Sequence, residues 1–402
     1  MNFRTLRGLD VRGKHVVVRE DLNVPMKDGA VGDDTRIVAT LETLRYLRDN
    51  GARTAILSHL GRPDGEVVPA MSLRPVAVEL AKRLGSPVGF ATDCVGEAAR
   101  EALVKIGDGD VVLFENVRFH PEEEANDPAF AERLAELGSI YVNDAFGTAH
   151  RAHASTEGIA QYLPAVAGFL MEAELRALGS LTNDPEKPFV CAIGGAKVKD
   201  KVGVFTSLLE RVSAFVIGGG MANTFLAAQG IDVGRSLKDS DLGPATQIIE
   251  LARRKNVPLH VPSDAVVSTA FDADENATTV PLGEIGERMI LDIGPASARG
   301  YAEVLRGART IVFNGPMGVY EKAPYRNGTR TIGEAIAAAT RAGATSVVGG
   351  GDAAAAAAEL GFAGAMTHVS TGGGATLEFL EGKTLPGIAA LERAASRQSA
   401  SA

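Results

Sequence analysis

Cysteine is nearly absent from this 402-residue chain: Cys94 and Cys191 are the only two, far apart and without CxxC spacing. That pattern points to buried thiols in a reducing compartment. Long apolar runs are also missing. None approaches the ~18 residues that suggest a membrane span, and the start "MNFRTLRGLDVRGKH" is too polar for a signal peptide. A cytoplasmic protein is expected. No block of basic residues stands out and the net charge is −9, which argues against nucleic acid as the main partner. A local cationic site for a small anion stays open, because net charge says nothing about one cleft. The chain is not short of glycine, at 46 residues, well above the usual ~7%. Apolar content of 45% and charged content of 23% are those of a globular protein. The length suggests two domains of roughly 150–200 residues.

Short β-branched runs alternate with helical patterns from end to end. The first part has "HVVVRED", "RTAILSHL", "SPVGFAT", "DVVLFENV" and "SIYVNDAF". Between two of them, "DDTRIVATLETLRYLRDNG" carries Ile37, Leu41, Leu44 and Leu47 at helical spacing, with Asn50-Gly51 to end it. The second part has "PFVCAIGG", "SAFVIGGG", "VPLHVPSD", "RMILDIGP", "RTIVFNGP", "TSVVGGG" and "MTHVSTGGG". Unbroken apolar strands joined by helices predict parallel sheets covered on both faces, hence two doubly wound α/β domains. The seam is expected at a helix from Met171 to Leu181, ended by Asn183-Asp184-Pro185. This places an N-terminal domain at 1–170, a linking helix at 171–185 and a C-terminal domain at 186–385. The tail from Pro386 has a short amphipathic helix and a low-complexity end expected to fray.

In the second part nearly every strand runs into glycines or Gly-Pro. Ligands of open α/β sheets bind at the carboxyl ends of strands, where glycine lets backbone N–H groups approach an anion at the next helix start. One such turn can be merely a tight connection; several on one sheet edge make a phosphate or nucleotide platform. "AIGGAKVKDK" sets three lysines, Lys197, Lys199 and Lys201, after such a turn, without matching the P-loop pattern. "GLDVRGKH" nearly fits a P-loop but precedes a strand. "VVGGGDAAAAAAEL" fits a dinucleotide fingerprint, yet the next strand, "MTHVS", lacks the acid for the ribose. Asp352 in that turn suits a Mg²⁺ held between carboxylate and phosphates, or else a helix cap. The first part instead offers Arg19, Asp21, Asn23, Arg36, His59, Arg62, Arg118 and Arg151 near strand ends. Guanidinium forks there suit a small polyanion. His150 and His153 have no cysteine nearby, so hydrogen bonding to an anion fits them better than zinc. An anion basin and a nucleotide platform suit phosphoryl transfer, which needs positioning and positive charge more than covalent help.

The segments "REDLNVP", "SHLGRP", "FENVRFH", "VNDAFGTAHRAHAS", "GGAKVKDK", "GGGMANTF", "FNGPMGVYE", "GGGD" and "STGGGATLEFLEGK" together closely resemble the phosphoglycerate kinase family, in the family's order and over residues 16–388. The resemblance implies two Rossmann-like domains joined by a helix, closing like a hinge, in a monomer whose C-terminal segment packs back on the first domain. It implies reversible phosphoryl transfer between MgATP and the carboxylate of 3-phosphoglycerate, giving 1,3-bisphosphoglycerate. Asp21, Leu22, Asn23, Arg36, His59, Leu60, Gly61, Arg62, Arg118 and Arg151 would hold 3-phosphoglycerate. Lys197, Lys201, Gly219, Gly220, Asn314, Pro316, Glu321, Gly350, Gly351, Asp352 and Ala353 would hold the nucleotide, with Asp352 on the metal. Arg36, Lys197 and Lys201, with Gly372-Gly373, would surround the transferring group. Two positions depart from the family: Leu22 stands where Phe is frequent, and Ala353 where Thr or Ser is common. The lost hydroxyl is expected to matter by about 1 kcal/mol. Two other classes share parts of the pattern. A dinucleotide-dependent oxidoreductase would require the missing ribose acid, and a non-catalytic sensor of phosphorylated metabolites would bind both ligands without turnover.

Overall fold

The computed structural model describes the backbone of residues 2–400 and the side chains of residues 2–397. The chain divides into two compact units, Met1–Leu175 with Thr384–Ala402, and Arg176–Lys383.

The first unit is built on a six-stranded parallel sheet. Its spatial order is Val88–Ala91, Val111–Phe114, Arg53–Leu57, His15–Arg19, Ile140–Asn143, Ala165–Ala167. The chain therefore starts at an inner strand and winds outward in both directions, the doubly wound pattern the alternation predicts. The strands are unbroken apolar runs because helices cover both faces: Val111–Phe114 and Ile140–Asn143 are buried at every position. The helix Thr35–Asp49 turns Ile37, Leu41, Leu44 and Leu47 inward as its spacing requires. Each fully buried residue of that size contributes about 1.5–3 kcal/mol relative to exposure. Its first turn is closed by Asp33, whose Oδ1 accepts from the Thr35 N–H at 3.0 Å, while Asp34 makes no cap bond. The last helix of this unit, Pro386–Ala400, continues through most of the segment expected to fray; Ser401 and Ala402 lie outside the described residues.

The second unit has a six-stranded parallel sheet in the order Leu259–His260, Ala214–Ile217, Phe189–Ile193, Thr310–Asn314, Thr345–Val348, His368–Val369. This is the strand order of a dinucleotide-type α/β fold, with its switch point between Phe189–Ile193 and Thr310–Asn314. One strand departs from expectation. "RMILDIGP" forms Met289–Ile293, but it pairs antiparallel with Asp264–Ser268 in a separate three-stranded sheet completed by Thr278–Pro281. An unbroken apolar run reports burial and not the direction of its neighbour. The seam helix runs from Phe169 to Thr182, and both cysteines are buried thiols. Among the described residues no helix is long and apolar enough to cross a membrane.

Candidate active site

In the first unit the expected anion ligands sit in the turns that follow the carboxyl ends of the strands. Asp21 and Asn23 follow His15–Arg19, His59 follows Arg53–Leu57, and Arg118 lies in a tight turn after Val111–Phe114. That turn is capped by Asn116, whose side chain accepts from the Arg118 N–H at 3.1 Å. Arg36, at the start of the Thr35–Asp49 helix, donates to both Asp21 oxygens at 2.8 Å. The Asn23 side chain accepts from the Gly61 N–H at 2.9 Å, tying two of the turns together. Arg118 is buried, donates to the Gly61 carbonyl at 2.8 Å and pairs with Glu124 at 3.1 Å. Leu22 and Leu60 belong to the apolar core, so only their backbone groups can serve a ligand.

A buried network underlies this layer. Arg19 is fully buried and donates to the Ser155 hydroxyl at 2.8 Å, to the Glu20 carbonyl, and towards His59 Nδ1 at 3.2 Å. Ser155 in turn donates to the buried carboxylate of Glu123 through its hydroxyl and backbone N–H. Burial, then the charges of Arg19, Arg118, Arg36 and Arg151, hold His59 neutral, far below the usual imidazole range. Arg36, Arg118 and Arg151 thus act together with Arg19 on one imidazole. Burial and the neighbouring Asp144 raise Glu20 well above the carboxylate range, so it cancels little of that positive charge. Burial lowers Arg118 itself to about 10. Arg151 rests against His150 at 3.3 Å, whereas Arg62 is exposed and makes no hydrogen bond or ion pair among the described residues. The sequence pattern marks the arginines of the basin. It carries no mark of Ser155 or Glu123, which are ordinary polar residues in loop and helix positions.

In the second unit five glycine-bearing turns follow strands of one parallel sheet, and so lie on one edge. Three of them pack backbone on backbone. A Cβ at Gly194 would lie 2.0 Å from the Pro316 carbonyl oxygen, and one at Gly219, where φ is +66°, 2.7 Å from Gly195. These glycines are required by the fold. Gly351 is different, since a Cβ there would meet nothing within 4 Å. It opens the helix Gly351–Glu359, and Asp352 beside it is exposed and caps nothing.

Beside these turns is a cavity of ≈ 610 Å³. Its walls include the apolar side chains Leu237, Phe271, Met289, Leu291 and Met317, together with Gly219, Gly220, Pro316, Glu321 and Asp352 from the expected set. The antiparallel sheet thus supplies much of an apolar wall that the parallel-strand reading missed. Lys201 lies at the switch point. Its Nζ donates to the carbonyls of Gly194 and Asn314, each at 2.8 Å, and burial lowers it to about 8. Asn314 is buried and holds the Gly349 carbonyl at 2.7 Å, so it shapes the glycine turn. Gly372 donates to Ser370 at 3.1 Å and Gly373 caps the next short helix. Ala353 faces the apolar core, away from the exposed face that carries Asp352.

The lysine segment is not extended. The strand stops at Ile193 and residues Lys199–Lys201 form a tight helical turn leading into Val202–Leu208. Buried Asp239 holds this turn by accepting from the N–H groups of Val198 (2.8 Å) and Lys199 (3.3 Å). Lys197 is exposed, with no hydrogen bond or ion pair among the described residues.

One unit presents a cluster of guanidinium groups and the other a glycine-edged apolar cavity, the parts expected of a nucleotide-dependent phosphotransferase of two α/β units. The family model described as phosphoglycerate kinase matches residues 6–383. The phosphoglycerate kinase of Pelotomaculum thermopropionicum is 55% identical over 97% of this chain and 99% of its own length, and that of Moorella thermoacetica 52% identical over 96% and 98%. The solved phosphoglycerate kinase structure from Coxiella burnetii superposes with a TM-score of 0.89 at 42% identity, covering 98% of this chain and 100% of that one. The Pyrococcus horikoshii structure gives 0.85 at 34% identity, covering 98% and 99%. The chain belongs to the phosphoglycerate kinase family.

Proposed function

We infer the roles of individual residues in a reaction that family membership fixes, ATP-dependent phosphoryl transfer on 3-phosphoglycerate. The acceptor is the 3-phosphoglycerate carboxylate. It is already ionised at neutral pH, so no general base is needed. A carboxylate oxygen bonds to the γ-phosphorus as the bond to the ADP oxygen breaks, giving 1,3-bisphosphoglycerate and ADP; the reverse direction uses the same groups.

The guanidiniums of Arg36, Arg62, Arg118 and Arg151, with His59, Asp21, Asn23 and the Gly61 backbone, bind 3-phosphoglycerate. His59, kept neutral, serves as a hydrogen-bonding group there and not as a cation. The apolar cavity takes the nucleoside, and Gly350–Gly351 with the start of their helix take phosphate oxygens. Lys201 exchanges its carbonyl partners for phosphate, and Lys197 and Arg36 neutralise the transferring group together with Gly372 and Gly373.

Asp352 fits a hard cation. It is an exposed carboxylate at the mouth of the cavity, makes no hydrogen bond or ion pair among the described residues, and offers the oxygen ligand that Mg²⁺ takes. Bound with the nucleotide, Mg²⁺ neutralises phosphate charge. A monomer in the cytoplasm completes the proposal, carried over from the resemblance.

The observation that carries these assignments is the contrast at the switch point: glycines locked by packing next to Gly351, which faces open space beside an unengaged carboxylate. ADP formation from MgATP, measured with and without 3-phosphoglycerate and coupled to a dehydrogenase that consumes the acyl phosphate, tests the reading. Turnover that depends on 3-phosphoglycerate and stops with EDTA supports it. Binding of both ligands without turnover would replace it with the sensor reading. The oxidoreductase reading is disfavoured by Ser370, which stands after His368–Val369 where an acid is required.

A further inference from the structure

The groups not used by the phosphotransfer site include one compact set of mixed donor atoms. Asp93, Cys94 and His120 bring a carboxylate oxygen, a thiol sulfur and a ring nitrogen within 4.8 Å of one another. Among the described residues this is the only such cluster of three or more His, Cys, Asp or Glu side chains. We propose that these three side chains form a binding site for one thiophilic divalent cation of the Zn²⁺ type.

The donor set selects the ion. Sulfur and imidazole nitrogen favour Zn²⁺ or Co²⁺, whereas Mg²⁺ and Ca²⁺ take oxygen ligands. Zinc bonds of about 2.0–2.3 Å place tetrahedral ligands roughly 3.3–3.8 Å apart, so the set needs only small adjustments. The main one opens the contact between His120 Nε2 and Asp93 Oδ1, now 2.8 Å. Three protein ligands leave the fourth position to water.

The ligands are already held in place. Asp93 Oδ1 accepts from the N–H groups of Cys94 at 2.6 Å and Val95 at 3.3 Å. The His120 ring packs on Phe130 with centroids 5.0 Å apart. Supports of this kind orient metal ligands. Access is available too: the side chains of His120 and Asp93 are 25% and 41% exposed, while Cys94 is buried beneath them. On binding, the sulfur gives its proton to solvent and bonds the metal as thiolate, and His120 binds through Nε2 with its proton on Nδ1.

The position gives the site a consequence. His120 immediately precedes the short helix Pro121–Glu124, whose Glu124 pairs with Arg118 and whose Glu123 holds Ser155. A bound cation therefore fastens the segment beneath the arginine basin.

The test is titration of the full chain with Co²⁺ in excess Mg²⁺, followed by the sulfur-to-cobalt charge-transfer absorption, with competition by Zn²⁺. One equivalent is expected in the full chain and in Cys191→Ser. The band should be lost in Cys94→Ser, and affinity should fall at least ~10-fold in His120→Gln and Asp93→Asn, as outer-shell changes alone already cost 10–100-fold. Because Cys94 is buried and its variant could fail to fold, the partly exposed His120 provides the independent arm. No charge-transfer band in the full chain, a band that survives Cys94→Ser, or unchanged affinity in His120→Gln would each overturn the proposal.

Discussion

In the first unit the groups proposed for an anion are side chains, and each of the best placed is braced: Arg36 by Asp21, Arg118 by Glu124 and Gly61, His59 by Arg19. In the second unit they are mainly backbone groups at glycine turns beside an apolar cavity, with Lys201 resting on two carbonyls. Charged forks fix a small, highly charged molecule in one orientation. Close backbone and apolar walls suit a larger ligand whose charge lies at one end. The difference teaches that the first unit is vulnerable through its buried charges and the second through its backbone geometry.

The largest effect is expected from Arg19→Met, which removes a fully buried donor from the Ser155 hydroxyl, the Glu20 carbonyl and His59. Unfolding stability should fall by about 3–5 kcal/mol, because each buried acceptor left unsatisfied costs about 1–3 kcal/mol. A urea midpoint within experimental error of the parent would show that the first unit does not depend on that charge. Next comes Lys197→Ala, which disturbs no hydrogen bond of the fold. It should lower kcat by ~10²–10³ with little change in KM, the loss typical of one oxyanion-type donor; an unchanged kcat would make the residue a bystander.

A pair of glycine variants sharpens the comparison within the second unit. Gly194→Ala drives a methyl group onto a carbonyl oxygen and should cost about 3 kcal/mol, the upper part of the overpacking range. Gly351→Ala should leave the thermal midpoint unchanged or slightly raised while KM for ATP increases. Equal effects of the two on stability would remove the distinction between packed and ligand-facing glycines.

Smallest are two opposed pH dependences. In the first unit, burial and then Arg118 and other cations lower His153 to about 3. The unfolded chain therefore binds the extra proton, and stability is lost as pH falls from the ordinary imidazole range towards that value. In the second unit burial raises Asp292 to about 8. Here the folded chain keeps the proton, so stability is lost as pH rises from the ordinary carboxylate range to about 8. In denaturant midpoints across pH, His153→Gln should remove the loss seen as pH falls from the ordinary imidazole range to about 3, and Asp292→Asn the loss seen as pH rises from the ordinary carboxylate range to about 8. The reverse assignment, or no change in either slope, would contradict these two environments.

Much of this architecture was legible because parallel strands buried on both faces write themselves as apolar runs, as in "DVVLFENV" and "RTIVFNGP". Arg36, Arg118 and Asp352 stand out in the sequence because their residue types suit phosphate chemistry, and the structure sets them in or beside the turns after strands and at helix starts. Partner choice was not legible. Met289–Ile293 reads like the parallel strands, and only its pairing with Asp264–Ser268 makes it a cavity wall. The link from Arg19 through Ser155 to Glu123 joins positions remote in sequence, so no local window contains it. At Ala353 a family difference suggested a missing hydroxyl at a phosphate, and burial of the side chain against the core is a feature the sequence does not mark. The Asp93, Cys94 and His120 cluster escaped because Cys94 looks isolated until folding brings His120 beside it.

The first unit is closed by the last helix of the chain. The Gly387 N–H donates to the Ala149 carbonyl at 2.9 Å, close in sequence to Arg151, and Arg393 pairs with Glu157. The second unit, in contrast, is one uninterrupted segment. During synthesis the second unit can thus be complete while the first still waits for its final piece. Roughly two hundred residues separate its two parts, which at ~5–20 residues per second is a delay of roughly 10–40 s. Through that interval the loop carrying Arg151 lacks its anchor, so the unit that is encoded first is the last part of the enzyme to mature.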